Sequence, residues 1–310
     1  MKYFLNSTAD YHRQDLNSLG WELTVCNSLE PINSPCRKAL ASPCSFGEHL
    51  YNYLKHIIPL DDILSVLEIG GGMGYLMRDF LSLTPGLRAK MIDISPYLLE
   101  QQKETLKSLN VDFELADILT ISKDALSRFE LAVLNENLGD MPTLVTGEED
   151  GNHSGDKTEY FLERMNHFSQ TYDLPLEKDK NINIGAMEIV ERLCLAGIRY
   201  IYLSEHSCEA TVPEEMKPYL SFQSPGDPEM ISLKGHKEFT VKFSYLQKIA
   251  ETLNYTTRRG AFADFLPLNF NDKIKTALRL ATPFNDEQEI IQQFVYDLYK
   301  YEYLILIKGR

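Results

Sequence analysis

The string VLEIGGGMGYL, residues 66–76, restricts what this chain can become more than any other. An apolar run ends in an acid, a glycine cluster follows, and a second apolar run begins. That order reads as a buried strand, a tight turn and a helix. Gly70, Gly72 and Gly74 lack a Cβ, so the backbone there can take positive φ and let a ligand approach the main chain closely. Nucleotide-like ligands sit where strand carboxyl ends meet helix amino ends.

The same alternation recurs along the chain. AKMIDI (89–94), VDFELAD (111–117), FELAVLNE (129–136), IRYIYLSEH (198–206) and YEYLILIKG (301–309) read as further strands. YLMRDFLSL, PYLLEQQKETLKSL, AMEIVERLCLAG, SYLQKIAETLNY and much of 271–300 read as helices. Strands alternating with helices predict right-handed crossovers and an α/β, doubly wound, mostly parallel sheet covered on both faces. Ahead of it, residues 1–45 are loop-rich, punctuated by Pro31, Pro35 and Pro43. A helix begins near Ser45, with Phe46, Leu50, Tyr53, Leu54 and Ile57 on one face, and stops at Pro59. We therefore expect a cover segment over 1–60 and a main domain over 61–310. The acidic, Gly-rich TGEEDGNHSGDKT opens a stretch, 146–184, read as an insertion before the fifth strand that contains a mobile loop and a short helix at FLERMNHFS.

Composition narrows the function classes. With 310 residues the chain is one large domain or two modest ones. A net charge of −14 argues against nucleic-acid backbones, which need clustered Lys and Arg, and favours a cationic partner. The five cysteines include no Cys-x-x-Cys, so neither a disulfide framework nor a metal site is expected. The first residues, MKYFLNSTADYHRQ, do not form a signal peptide, and no run approaches the roughly 20 apolar residues of a membrane span. A cytoplasmic monomer or homodimer that avoids membranes is the expectation.

Two ligand classes use such a turn. The dinucleotide fingerprint Gly-x-Gly-x-x-Gly needs its third glycine at 75, where this chain has Tyr75. Asp93 ends the second strand about 20 residues after Gly70, where an acid accepts from ribose hydroxyls or caps the next helix. Asp117 closes the third strand, where one reading is a cap for the following ILTISKDAL.

Glu68-x-Gly70-x-Gly72-x-Gly74 resembles the first motif of class I S-adenosylmethionine-dependent methyltransferases. Further blocks are similar to the MidA-type family, which includes an assembly factor of mitochondrial complex I that methylates a protein arginine. IDISPYLLEQQKETL (92–106) matches its acid, Ser-Pro and Gln-bearing helix. SPCSFGEHLYNYL (42–54), NENLGDMP (135–142) and the blocks from 235 to 268 match others. The chain departs from the family's Gly-Pro-Gly at Gly71, from its Asp at Gly139, and from its Asp-Tyr-Gly at Glu205-His206-Ser207. The resemblance implies a seven-stranded, Rossmann-like sheet and S-adenosylmethionine as cofactor, with S-adenosylhomocysteine as product and no metal. Its implied cofactor positions are Glu68, Gly70, Gly72, Gly74, Asp93, Ile94, Asp117, Ile118 and Asn135.

Methyl transfer from a sulfonium is an in-line displacement by a donor already activated by charge. The protein's main work is positioning the acceptor, with a base needed only where a proton must leave. Asn135 and Glu136, at the end of the fourth strand, are the candidate catalytic residues. A carboxylate at 136 could hold a guanidinium through paired hydrogen bonds. Glu205 and His206 are candidates for the border of the acceptor pocket. A protein side chain, arginine foremost, is the expected acceptor. The alternatives are a small-molecule N- or O-methyltransferase and a non-catalytic assembly factor that keeps the cofactor site.

Overall fold

A computed structural model describes residues 3–6, 8–14, 24–147, 155–177, 179–233, 235–280 and 282–309. The chain begins with β1 (Tyr3–Leu5), then α1 (Thr8–His12), α2 (Val25–Ser28), α3 (Pro35–Ala39) and α4 (Phe46–Leu54). The first half of the sheet region follows: β2 (Ser65–Ile69), α5 (Tyr75–Leu83), β3 (Arg88–Asp93), α6 (Pro96–Leu106), β4 (Val111–Leu115), α7 (Lys123–Leu126) and β5 (Leu131–Asn135). Next come β6 (Leu144–Thr146), α8 (Gly155–Tyr172), α9 (Ile184–Ala196), β7 (Tyr200–His206), and the hairpin β8 (Met230–Ser232) and β9 (Lys237–Phe239). The chain closes with α10 (Phe243–Thr252), β10 (Tyr255–Ala261), α11 (Asp272–Arg279), α12 (Asp286–Lys300) and β11 (Tyr301–Lys308).

The central sheet has seven strands in the order β10-β11-β7-β5-β2-β3-β4. β11 runs antiparallel to both neighbours, and the remaining pairings are parallel. Period-two alternation sends Val66, Val133 and Tyr202 into one core and Leu67, Ala132 and Leu203 into the other. The first core is covered by α2 to α5, α11 and α12, the second by α8 to α10. β2 passes to β3 on one side while β5 returns on its other side, so a topological switch opens a crevice at the carboxyl ends of these strands.

Local chemistry fixes two of the helix starts. Ser45 caps α4 in a reciprocal box with Glu48, which fixes the start of that helix. Pro96 sits in the first turn of α6, where its missing N–H costs nothing. Other elements differ from the sequence reading. β10 reads YTTRRGA, which lacks apolar alternation because it is an edge strand, and its strand character comes from pairing with β11. The short helix expected at FLERMNHFS is longer, the 18-residue α8, anchored by buried Phe161, Phe168 and Tyr172. Each such side chain contributes roughly 1.5–3 kcal/mol on burial, enough to hold a polar-looking helix against α9. Residues 148–154 of the anticipated mobile loop, like 15–23 of the cover segment, lie outside the described residues. Among the described residues no helix is long and apolar enough to cross a membrane, and all five cysteines are free.

Candidate functional site

The glycine turn is built as its composition requires. Gly70, Gly72 and Gly74 have φ of 63°, 53° and 82°, the left-handed region that L side chains avoid. A Cβ at Gly70 would stand 2.5 Å from Asn137 Nδ2, whereas one at Gly72 would meet nothing within 4 Å. Gly72 thus leaves the main chain open toward a cavity of about 510 Å³ that it helps to line. Gly74 starts α5 without any side-chain cap, so the amides of the first turn face the turn itself.

Acids surround the turn at three depths. Glu68 lies buried beneath it; burial first, and the nearby Asp93 second, push its carboxyl up to about 8. Its Oε2 has no hydrogen-bond partner among the described residues. Asp93, also buried, accepts from the Ser95 amide at 2.8 Å and from Gln102 Nε2 at 2.7 Å. Gln102 Nε2 donates as well to the Gly72 carbonyl at 3.1 Å, which ties the turn to the end of β3. Burial raises the Asp93 carboxyl above its usual range. Asp117, half-buried, accepts from the Leu119 amide at 3.0 Å and from Arg13 at 2.6 Å, so it caps the turn that follows and also lines the cavity.

At the end of β5 the side chains have uses that spacing could not disclose. Asn135 bridges Ser204 Oγ (2.9 Å) and Glu136 Oε1 (3.0 Å) and does not line the cavity. Glu136 holds a positive φ of 54°. Its carboxylate accepts from the amides of Val25 (2.8 Å) and Cys26 (3.0 Å), binding the start of α2 to the crevice. Burial pushes the Glu136 carboxyl up to about 7 even against these donors. Asn137 donates to the Ile69 carbonyl and lines the cavity.

Of the expected cofactor positions, Gly70, Gly72, Asp93, Ile94, Asp117 and Ile118 line the cavity, as does Glu136. Glu68 and Gly74 lie behind the turn, and Asn135 behind Glu136. Glu205 and His206 do not reach the cavity. Glu205 is buried and accepts from the amides of Gly139 and His206, while the His206 ring packs against Tyr301 with centroids 3.7 Å apart. Sequence reasoning missed Asn137, His12, Asp140 and the stretch from Thr24 to Pro31, all of which contribute to the wall. For Asn137 a signal existed in the repeated Asn-Glu-Asn; for the amino-terminal residues none did.

The wall carries five acids, Glu30, Asp93, Asp117, Glu136 and Asp140, and no Lys or Arg among the described residues. Glu30 is paired bidentately with Arg78 behind the wall, at 2.7 and 2.8 Å. Arg13 pairs with Asp117 as Arg78 does with Glu30, and the remaining acids favour a cation over a pyrophosphate.

No protein-family model matches the chain, and no curated protein matches it. Among solved structures, the chain is similar to an uncharacterized protein from Burkholderia thailandensis, at 15% identity over 99% of this chain and 88% of the other, with a TM-score of 0.53. It is also similar to a candidate methyl transferase from the same organism, bound to S-adenosyl-homocysteine, at 14% identity over 85% of this chain and 76% of that one, with a TM-score of 0.51. The chain shares the seven-stranded α/β fold of these proteins.

Proposed function

We propose that the chain binds S-adenosylmethionine in the cavity beside the Gly70–Gly74 turn and transfers its methyl group to an acceptor. The single observation that carries this reading is an acidic wall that, among the described residues, holds no Lys or Arg at a glycine turn. A sulfonium nucleoside is cationic and carries no phosphate, whereas a dinucleotide needs partners for two phosphates. The fold shared with a protein that binds S-adenosyl-homocysteine supports it.

S-adenosylmethionine supplies a methyl group activated by positive charge. In this reading the chain's residues bind and orient. The turn lies along the nucleoside, Asp93 and Asp117 offer carboxylates to its polar edges, and buried Glu68 supports the turn from below. Within the expected cover segment, α2 is tied to the crevice of the main domain through Glu136.

The covered wall from Thr24 to Pro31 favours a small-molecule acceptor that enters the cavity whole. A protein arginine, the acceptor implied by the resemblance, is the second reading, favoured by the acidic wall and the net charge of −14. It requires a clamp other than Glu136, since both oxygens of that carboxylate are engaged.

The test is transfer of labelled methyl from S-adenosylmethionine in a cell extract, with the Gly72→Arg variant as control. Label in the small-molecule fraction that is absent from the control supports the favoured acceptor, and label in a protein band supports arginine. Binding of S-adenosylhomocysteine without label anywhere leaves a cofactor-binding assembly factor. Failure to bind S-adenosylhomocysteine while binding NAD sinks the whole reading.

A further inference from the structure

Beyond the glycine turn, where the amino-terminal residues border the cavity, three ligating atoms converge. His12 Nε2 lies 3.2 Å from Asp140 Oδ1, and His236 Nε2 lies 3.8 Å from that same oxygen. All three atoms fall within 4.8 Å of one another. They arrive from α1, from the turn after β5 and from the β8–β9 hairpin, so only the fold brings them together. A tetrahedral metal centre with bonds of about 2.0–2.1 Å sets its ligands roughly 3.3 Å apart. The observed 3.2 and 3.8 Å separations bracket that value.

The surroundings suit a cation. Both histidines are buried. Tyr11 stacks on His236 with centroids 4.4 Å apart, and His12 meets His236 edge-on at 5.1 Å, which holds the imidazoles in place. A second carboxylate, Glu238, puts Oε1 3.1 Å from His236 Nε2. A third, Glu205, accepts from the amide of Gly139 beside Asp140. Among the described residues neither Asp140 nor Glu238 has a Lys or Arg ion-pair partner. Asp140 is partly exposed at the cavity wall, and carboxyls gathered around two imidazoles favour a positive charge shared among them.

We propose that His12, Asp140 and His236 bind one divalent transition-metal ion of the Zn²⁺ class. Two imidazoles and a carboxylate are a donor set for such ions rather than for Mg²⁺ or Ca²⁺. Three protein ligands leave a coordination position, as in sites that bind water or substrate. Because His12 and Asp140 also line the cavity, that position borders it. The ion ties α1 to the hairpin and stands at one end of the space in which an acceptor would sit. The proposal does not rest on the methyl-transfer reading, since binding is measured without turnover.

The full chain, purified with a chelator and then dialysed free of it, is titrated with Co²⁺ and followed by visible absorption and calorimetry. The expected result is one equivalent bound, with ligand-field bands and no sulfur-to-cobalt charge transfer, and competition by Zn²⁺. His12→Gln and Asp140→Asn should each weaken binding at least about 10-fold while far-ultraviolet dichroism is kept. Substoichiometric uptake, or affinity unchanged in both variants, overturns the proposal. If neither variant folds, the wild-type spectrum decides: a sulfur-to-cobalt charge-transfer band assigns the metal to cysteine and overturns it, and tetrahedral ligand-field bands without charge transfer uphold it.

Discussion

At the scale of single residues, Glu68 is the most informative side chain. Folded, its carboxyl holds a proton up to about pH 8, against an ordinary value of 4.5. Folding therefore binds a proton between these values, and stability is lost as pH rises through that window, at up to about 1.4 kcal/mol per pH unit. Glu136 adds the same sign up to about pH 7, and buried Glu205, raised well above its usual range, acts in the same direction. Thermal melts of the ligand-free chain should fall from pH 6 to 8.5, and Glu68→Gln should flatten the upper part of that decline. An identical slope in the variant would remove Glu68 as its source. Gly72 makes the complementary case. Alanine there costs roughly 1–2 kcal/mol through its positive φ, yet its Cβ enters open space. We expect Gly72→Ala to fold and to bind S-adenosylhomocysteine at least about 10-fold more weakly by calorimetry. Undiminished affinity would mean that the ligand does not lie along this turn.

At the scale of elements, the decisive link is between β5 and α2. A four-residue helix such as Val25–Ser28 has no stability of its own, and it is held because Glu136 satisfies two of its amides. Glu136→Ala leaves the Val25 and Cys26 donors unpaired, which should cost about 1–3 kcal/mol and speed tryptic cleavage after Arg37 and Lys38. Unchanged cleavage and midpoint would show that the cover is held elsewhere. The glycine turn, the Ser45 cap and the alternation of strands and helices were legible because each depends on residues within a few positions. β10 was not, since an edge strand of Thr and Arg shows no period until β11 pairs with it. Nor was the full length of α8, whose polar beginning conceals the anchoring run from Phe161 to Tyr172.

Taken whole, the molecule places an acidic cavity at the switch point of its sheet and covers it with its own amino-terminal segment. A ligand that binds only the folded state stabilises by about 2.7 kcal/mol at one hundred times its dissociation constant. S-adenosylhomocysteine at that level should raise the melting temperature by several degrees, whereas NAD at the same concentration should leave it in place. A shift with NAD alone would reverse the assignment drawn from Tyr75 and from the absence of Lys and Arg in the wall.

Legible in the residues alone were the succession of strands and helices along the chain, the glycine turn after β2, and the acids at the ends of β2, β3 and β5. Those features follow from local periodicity and from what a Cβ forbids. Only the tertiary structure decided that Glu136 anchors α2, that Glu205 and His206 turn away from the cavity, and that His12 meets Asp140 128 positions along the chain. Contacts across such separations are set by how the cover segment and the hairpin pack on the sheet. Local sequence pattern carries no trace of that packing.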